Sequence, residues 1–463
     1  RPAHPAPAPL APPSFTRTRA IAEIPRDRPA RGRMRTDRNR MEGSMGHGYA
    51  STERRHDLDW LRVIAILLLL YFHTAMIFAA EWGWHIKNAE TSALLLEFNF
   101  FLSRWRMALL FVISGIGTSY ALRRRTAGEY VGERAKRLLV PVIFGMFVIV
   151  PPQIYFERLA NGASYASYLD FYPEVLEFVP YPAGAFSYHH LWFVFYLFFY
   201  SVAALPLFLY LRRNDGGRAA RAITRALRGP GLYAPALPLG AILAALIARY
   251  PGPQNVVDDW AHLLYYFLFF VFGYVLTVAE GIWEAIEARR RTSLTLAFVA
   301  IVAIDAIRWN GATPAFETSV ANSLYHLLQA FNAWCWVLAI LGYGKRYLNR
   351  PSRLLDRANE GIYPFYILHQ TVIVVVGYYV IQVEESILAK FLFVSTVSLL
   401  VSWGIYDLLI RPVPVLRFLF GMKPPRRAVA EVEATSPLRG TRPSPAPPAP
   451  HGPGAPAATR VGG

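Results

Sequence analysis

A single cysteine in 463 residues, Cys335 between Trp334 and Trp336, leaves no partner for an intrachain disulfide and reads as a packed core thiol rather than a nucleophile. Charge is scarce as well. Charged residues are 17% of the chain against 54% hydrophobic and 14% aromatic, a balance too apolar for an ordinary soluble enzyme. The formal net charge of +17 is accompanied by no zinc spacing and no RNA-binding signature, so it does not point to nucleic acid. None of the histidines in the apolar runs has the H-E-x-x-H spacing or a carboxylate at i+3 or i+4. No metal site and no tightly bound cofactor is therefore expected.

Long apolar runs are what the chain does have. They recur at about 58–80, 94–122, 138–156, 190–211, 233–249, 261–279, 294–308, 323–343, 361–381 and 388–410, each near the length needed to cross ~30 Å of hydrocarbon. The fifth and seventh are short and interrupted by Pro or Asp, and the second has room for an interfacial piece before its span. This predicts an all-α, polytopic membrane bundle of about ten helices over residues 53–411. Residues 1–52, rich in Pro, Ala and Arg, are expected to be a disordered extension, and residues 412–463 a flexible tail.

The basic residues explain the charge. Arg54 and Arg55 precede the first run, Arg123 to Arg137 separate the second from the third, and Arg212 to Arg228 follow the fourth. Arg289 to Arg291, Lys345 to Arg357 and Arg411 to Arg427 follow the sixth, eighth and tenth. The alternate loops carry mainly acids, such as Glu81, Glu90, Asp170, Glu174, Asp258 and Glu384. Because Lys and Arg concentrate in short cytoplasmic loops, an even number of spans with both termini cytoplasmic accounts for every loop. The high net charge is thus mostly a topology signal of a multi-pass membrane protein, with some attraction to anionic lipid.

Within the first run, "DWLRVIAILLLLYFHTA", Arg62 and His73 are eleven residues apart. About three helical turns separate them, so they share one face roughly 16 Å apart along the axis. An ionisable residue at that depth marks a functional cavity or a satisfied packing contact. Arg134 and Arg137 in "ERAKRLLVP" stand at i and i+3, suiting either a phosphate-bearing ligand or plain cytoplasmic anchoring. Ser114, Gly115 and Gly117 permit close helix approach or a break beside a cavity. Arg104 and Arg106 precede them, either snorkelling or facing a polar substrate on the outer side. His189 and His190 open the fourth run as an interfacial belt or a site. Asn322, His326 and Gln329 form one polar stripe, either interhelical bonding or a cavity wall. His369 follows Pro364 in "GIYPFYILHQT", deep in the ninth run.

Taken in order, "LDWLRVIAILLLLYFHTA", "FVISGIG", "ERAKRLLVP", "HLWFV" and "YPFYILHQ" resemble the membrane acyltransferase-3 family, in particular its glucan-modifying branch. The resemblance implies about ten membrane helices and transfer of an acyl group, acetyl or succinyl, from cytoplasmic acyl-CoA as co-substrate to a hydroxyl of an extracytoplasmic carbohydrate. It implies that Arg62 and His73 are functional, that Arg134 and Arg137 match the family's Arg-x-x-Arg, and that His369 matches its late Tyr-x-x-His. Many members carry Pro where this chain has Met107 or Ala108.

A sugar hydroxyl is a poor nucleophile toward a thioester, and a positioned imidazole is the natural base. The expected arrangement therefore has Arg62, Arg134 and Arg137 on the donor's phosphates. His73 would act as base or as transient acyl carrier, with His369 also catalytic. The acceptor would approach near His190, Arg104 and His326. The alternative is a secondary exporter of a small organic anion, which would show two symmetry-related halves; no convincing repeat is visible.

Overall fold

The computed structural model describes residues 54–252, 257–315, 317–423 and 462. The expected extension over 1–52 and the tail after Lys423 lie outside the described residues. Among those described there is no strand, only isolated bridges joining Ala79 to Ser92 and Pro180 to Phe186.

The first half contains α1 (His56–Phe78), α2 (Ala93–Ser103), α3 (Arg106–Leu122), α4 (Ala127–Arg134), α5 (Val140–Val148) and α6 (Pro151–Ala160). Short α7 (Tyr168–Phe171) and α8 (Pro173–Leu176) follow, then α9 (Trp192–Ala203), α10 (Leu205–Arg213), α11 (Arg218–Ala226) and α12 (Ala236–Leu246). The second half is α13 (Trp260–Val278), α14 (Ile282–Ala288), α15 (Arg290–Trp309), α16 (Val320–Tyr347), α17 (Arg353–Val380), α18 (Ile387–Ile405) and α19 (Pro414–Leu419).

Local chemistry explains many of these boundaries. Ser92, Ser319 and Ser386 accept the N–H three residues on and start α2, α16 and α18, and Thr126 with Glu129 closes a capping box on α4. Asp57 and Asp59 sit in the first turn of α1, where the helix dipole favours anions. At its other end the Lys87 ammonium donates to Met76 O at 2.9 Å and to Ala79 O, satisfying carbonyls that have no helical partner.

Each of the ten apolar runs has a helical counterpart. Nine are long and apolar enough to cross a membrane, and the tenth is α9 with α10, bent by 49°. The bend falls at Ala204, just before Pro206, whose ring cannot continue the ladder. Two details differ from a simple reading of periodicity. The second run is two helices broken at Arg104 and Trp105, and the third carries a π-helical segment, Ala135–Leu139, between α4 and α5. The ordered chain also continues past residue 411 through α19 to Lys423, so the region folded against the bundle is longer than the apolar pattern suggests.

Helices α1, α3 and α17 are mostly buried, whereas α15 and α18 turn most of their surface outward, with Val299 and Leu400 exposed as lipid-facing residues would be. The closest packing is between α3 and α13. A Cβ on Gly115 would stand 2.0 Å from Phe270 O, and one on Gly273 would stand 2.1 Å from Val112 O. The small residues of "ISGIG" thus serve close helix approach at Gly115, while a Cβ at Gly117 meets nothing. Backbone carbonyls cannot swing aside as a side chain can. Gly115→Val should therefore cost more than the ~1–3 kcal/mol typical of overpacking. In detergent it should lower the unfolding temperature by several degrees, while Gly117→Ala should leave it unchanged.

Candidate active site

Helix α1 carries Arg62 and His73 on one face, and α17, packed along it, carries His369. His73 Nδ1 lies 3.0 Å from His369 Nε2, with the rings stacked at 5.1 Å between centroids and 9° between planes. His369 is fully buried and donates from Nδ1 to Tyr366 O at 2.5 Å. That donor fixes the rest. With its proton on Nδ1, neutral His369 can only accept at Nε2, so His73 donates from Nδ1 and keeps the lone pair on its own Nε2. No hydrogen bond within the described residues occupies that Nε2, and His73 is only partly buried.

Behind this pair runs a second hydrogen-bonded chain. His190 Nε2 donates to Ile367 O at 3.0 Å, and its Nδ1 is 3.4 Å from Gln153 Nε2. The Tyr366 hydroxyl donates to the His190 carbonyl, and the His190 and His369 rings meet edge to face at 5.5 Å. Gln370 Nε2 donates to Gln153 Oε1 and to His85 Nε2, both at 3.0 Å, and His85 Nδ1 donates to Glu157. Both His190 nitrogens are thus engaged, and its ring braces His369 rather than standing open. This network draws on α6, the short 3-10 turn His189–Leu191 before α9, α17 and the loop after α1. Of its residues only His190 was marked in the sequence, because an apolar run signals a polar residue but not the helix that will face it.

At the Arg-rich end, Arg62 is hydrogen-bonded to Asp59 Oδ1 at 3.0 Å and to Asn359 Oδ1 of α17 at 2.7 Å. Arg134 and Arg137 do not act as a matched pair. Arg134 reaches Thr118 Oγ1 of α3 at 3.0 Å and lies over the Tyr130 ring, while Arg137 donates to Gly421 O at 3.2 Å and pairs with Glu133. The π segment between them, with its i→i+5 bonds, changes the angular step that an ideal i, i+3 spacing assumes. Gly421 has φ +65°, and a Cβ there would stand 2.5 Å from Arg137 O, so only glycine fits this contact. Next along the chain, the Lys423 ammonium is lowered below its ordinary value by burial and by Arg137, with Arg62 also within reach. Arg62, Arg137 and Lys423 thus share one basic mouth, about 16 Å along α1 from His73.

The remaining expected residues lie elsewhere at the far end. Arg104 sits over the Phe100 ring at 4.3 Å and donates to Ser103 Oγ, and neither it nor the buried His326 of α16 contacts the His73 pair. Arg104 lies within electrostatic reach of His326, whereas His190 packs against the His369 ring. Among the described residues, His85, Glu157 and His189 bring three ligand atoms within 4.8 Å, a group that could hold a metal ion. It is assembled from three segments, which a search for ligand spacing along one helix does not detect.

An embedded imidazole pair with one free nitrogen, set above a basic mouth on the same helix, is equipment for moving a proton beside an anionic substrate. Residues 55–407 match the model of the acyltransferase-3 family, described as an acyltransferase domain. The chain belongs to this family and is a membrane acyltransferase of groups other than amino-acyl groups; the exporter reading falls. Among its relatives are the proteins named glucans biosynthesis protein C of Salmonella paratyphi A, Salmonella agona (strain SL483) and Salmonella typhi. Each is 24% identical over 391 residues, covering 80% of this chain and 96% of the relative. No solved structure matches the chain.

The one-way hydrogen bond from His73 to His369 makes a directional prediction. His369→Leu removes the acceptor and should reduce turnover by roughly 10²–10⁴, the range associated with losing a positioned base. His369→Gln, whose amide oxygen can still accept, should recover a measurable part of it.

Proposed function

We infer that this protein moves a small acyl group from acyl-CoA to a hydroxyl of an extracytoplasmic carbohydrate, with a glucan as acceptor and succinyl or acetyl as the acyl group. The observation that carries this reading is the geometry of α1. Its free His73 Nε2 faces the same side as Arg62, three turns away, and is backed by His369. The charge of the loops supports an orientation with both termini and the basic mouth in the cytoplasm of a bacterial inner membrane.

Donor phosphates dock on Arg62, Arg134 and Arg137, whose guanidiniums offer planar forks to phosphate oxygens. The pantetheine arm then runs along α1 and presents the thioester beside His73. The acceptor comes from the opposite side, the end that carries Arg104 and His326, and His190 keeps the ring of His369 in place. His73 Nε2 takes the hydroxyl proton as the oxygen attacks the thioester carbonyl. The imidazolium, hydrogen-bonded to His369, returns that proton to the departing thiolate. The new ester and free CoA leave on opposite sides of the membrane. The glucan in this proposal is named for the relatives, whose similarity extends over nearly their whole length.

The test is label transfer in proteoliposomes, with acetyl- or succinyl-CoA on the basic side and a glucan on the other. His73→Ala should abolish transfer while the protein still inserts and binds donor. Substantial residual turnover would remove His73 from its role. Arg62→Ala and Arg134→Ala should each weaken CoA binding by about 10- to 100-fold, the equivalent of one charge-assisted hydrogen bond. Unchanged CoA binding in both would dismiss the phosphate-docking scheme.

A further inference from the structure

Arg106 opens α3 immediately after the break from α2, and it does not snorkel. Its side chain is buried, with the residue 3% exposed, and its Nε and Nη1 atoms make no hydrogen bond within the described residues. Its guanidinium carbon lies 3.8 Å from the centre of the Phe72 ring, the residue preceding His73. Two other arginines on this side of the bundle have acids. Arg308 is paired with Glu97 and Asp305, and Arg158 with Glu174. No carboxylate of the described residues pairs with Arg106, although both His73 and His369 lie within its electrostatic reach.

A guanidinium cannot shed its charge as lysine or histidine can. A cation–π contact with Phe72 compensates only part of the lost hydration, so the folded protein holds an uncompensated positive charge against the turn that carries His73. Such a charge is costly at rest and favourable once an anion arrives. Acyl transfer generates one at this place. As the hydroxyl oxygen bonds to the thioester carbon and its proton passes to His73 Nε2, the carbonyl pair moves onto oxygen. The resulting oxyanion then collapses, the carbon–sulfur bond breaks, and the thiolate takes the proton back.

We propose that Arg106 is the anion site of the transfer step, its unpaired guanidinium receiving negative charge carried by the acyl group beside His73. That charge has two sources with the same chemistry, the transient oxyanion and the distal carboxylate of a dicarboxylic acyl group. The proposal rests on the acyl-transfer reading above and extends it to a cationic residue for which the protein itself supplies no anionic partner.

Arg106→Met keeps the length and apolar stem and removes the charge. The full chain in detergent should then unfold at a higher temperature than the wild type, because an unpaired buried charge is gone. A merely structural arginine would shift it the other way. In proteoliposomes the same variant should lose roughly 10²- to 10³-fold in turnover with little change in donor KM if the oxyanion is the source, for acetyl- and succinyl-CoA alike. If the distal carboxylate is the source, the loss is confined to succinyl-CoA and is seen mainly in KM. Wild-type turnover of both donors by Arg106→Met, or a lowered unfolding temperature, overturns the proposal. If the wild type transfers neither group, the donor assignment above fails, and the melting comparison still decides whether Arg106 awaits an anion.

Discussion

The hydrogen bond between His73 and His369 organises this molecule. In bulk water an imidazole can exchange one partner for another, but in the interior of a helical bundle each ring nitrogen must have its role assigned by a neighbour. The assignment begins at the Tyr366 carbonyl, which can only accept. Through His369 that single constraint reaches His73 and leaves one lone pair at Nε2. The second chain, from Glu157 through His85, Gln370 and Gln153 to His190, is donated outward in both directions from the Gln370 amide, to His85 and on to Glu157 and to Gln153 and on to His190. It holds the edge of His369 without competing for its nitrogens. The one uncommitted ring nitrogen among His73, His369 and His190 is thus His73 Nε2.

Helix α1 sets the scale of the rest. A straight helix fixes the separation of two residues on one face, and Arg62 and His73 are held apart along its axis by the intervening turns. An elongated donor with an anionic head and a reactive end suits such a ruler. The two ends of the site also differ in rigidity of environment. The imidazole pair is enclosed by packed helices, while the basic mouth is built from α1, the α4–α5 connection and the chain after α19, where guanidiniums already have protein partners that a phosphate would have to join or displace.

Much of this was legible in the sequence. The ten apolar runs, the shared face of Arg62 and His73 and the depth of His369 followed from periodicity and hydropathy, since those depend only on residues near one another in the chain. What required three dimensions was pairing. Nothing local indicates that His369 meets His73, that His190 is occupied at both nitrogens, or that Arg104 and His326 stand apart from it. The i, i+3 reasoning for Arg134 and Arg137 assumed an ideal α-helix and did not anticipate a π segment. Arg106 was flagged only as an arginine at an unexpected end, and its significance lies in the absence of a carboxylate, which spacing does not reveal.

The Arg137–Gly421 contact joins residues 284 positions apart in the chain. During synthesis, the part of the mouth formed by α4 and α5 emerges long before the glycine that caps it, and the imidazole of α1 waits equally long for its partner on α17. A chain still being made therefore carries the arginines of one region and the imidazole of another without the elements that align them. The imidazole pair is completed only when the last helices are in place, so an unfinished chain lacks the assembled site altogether.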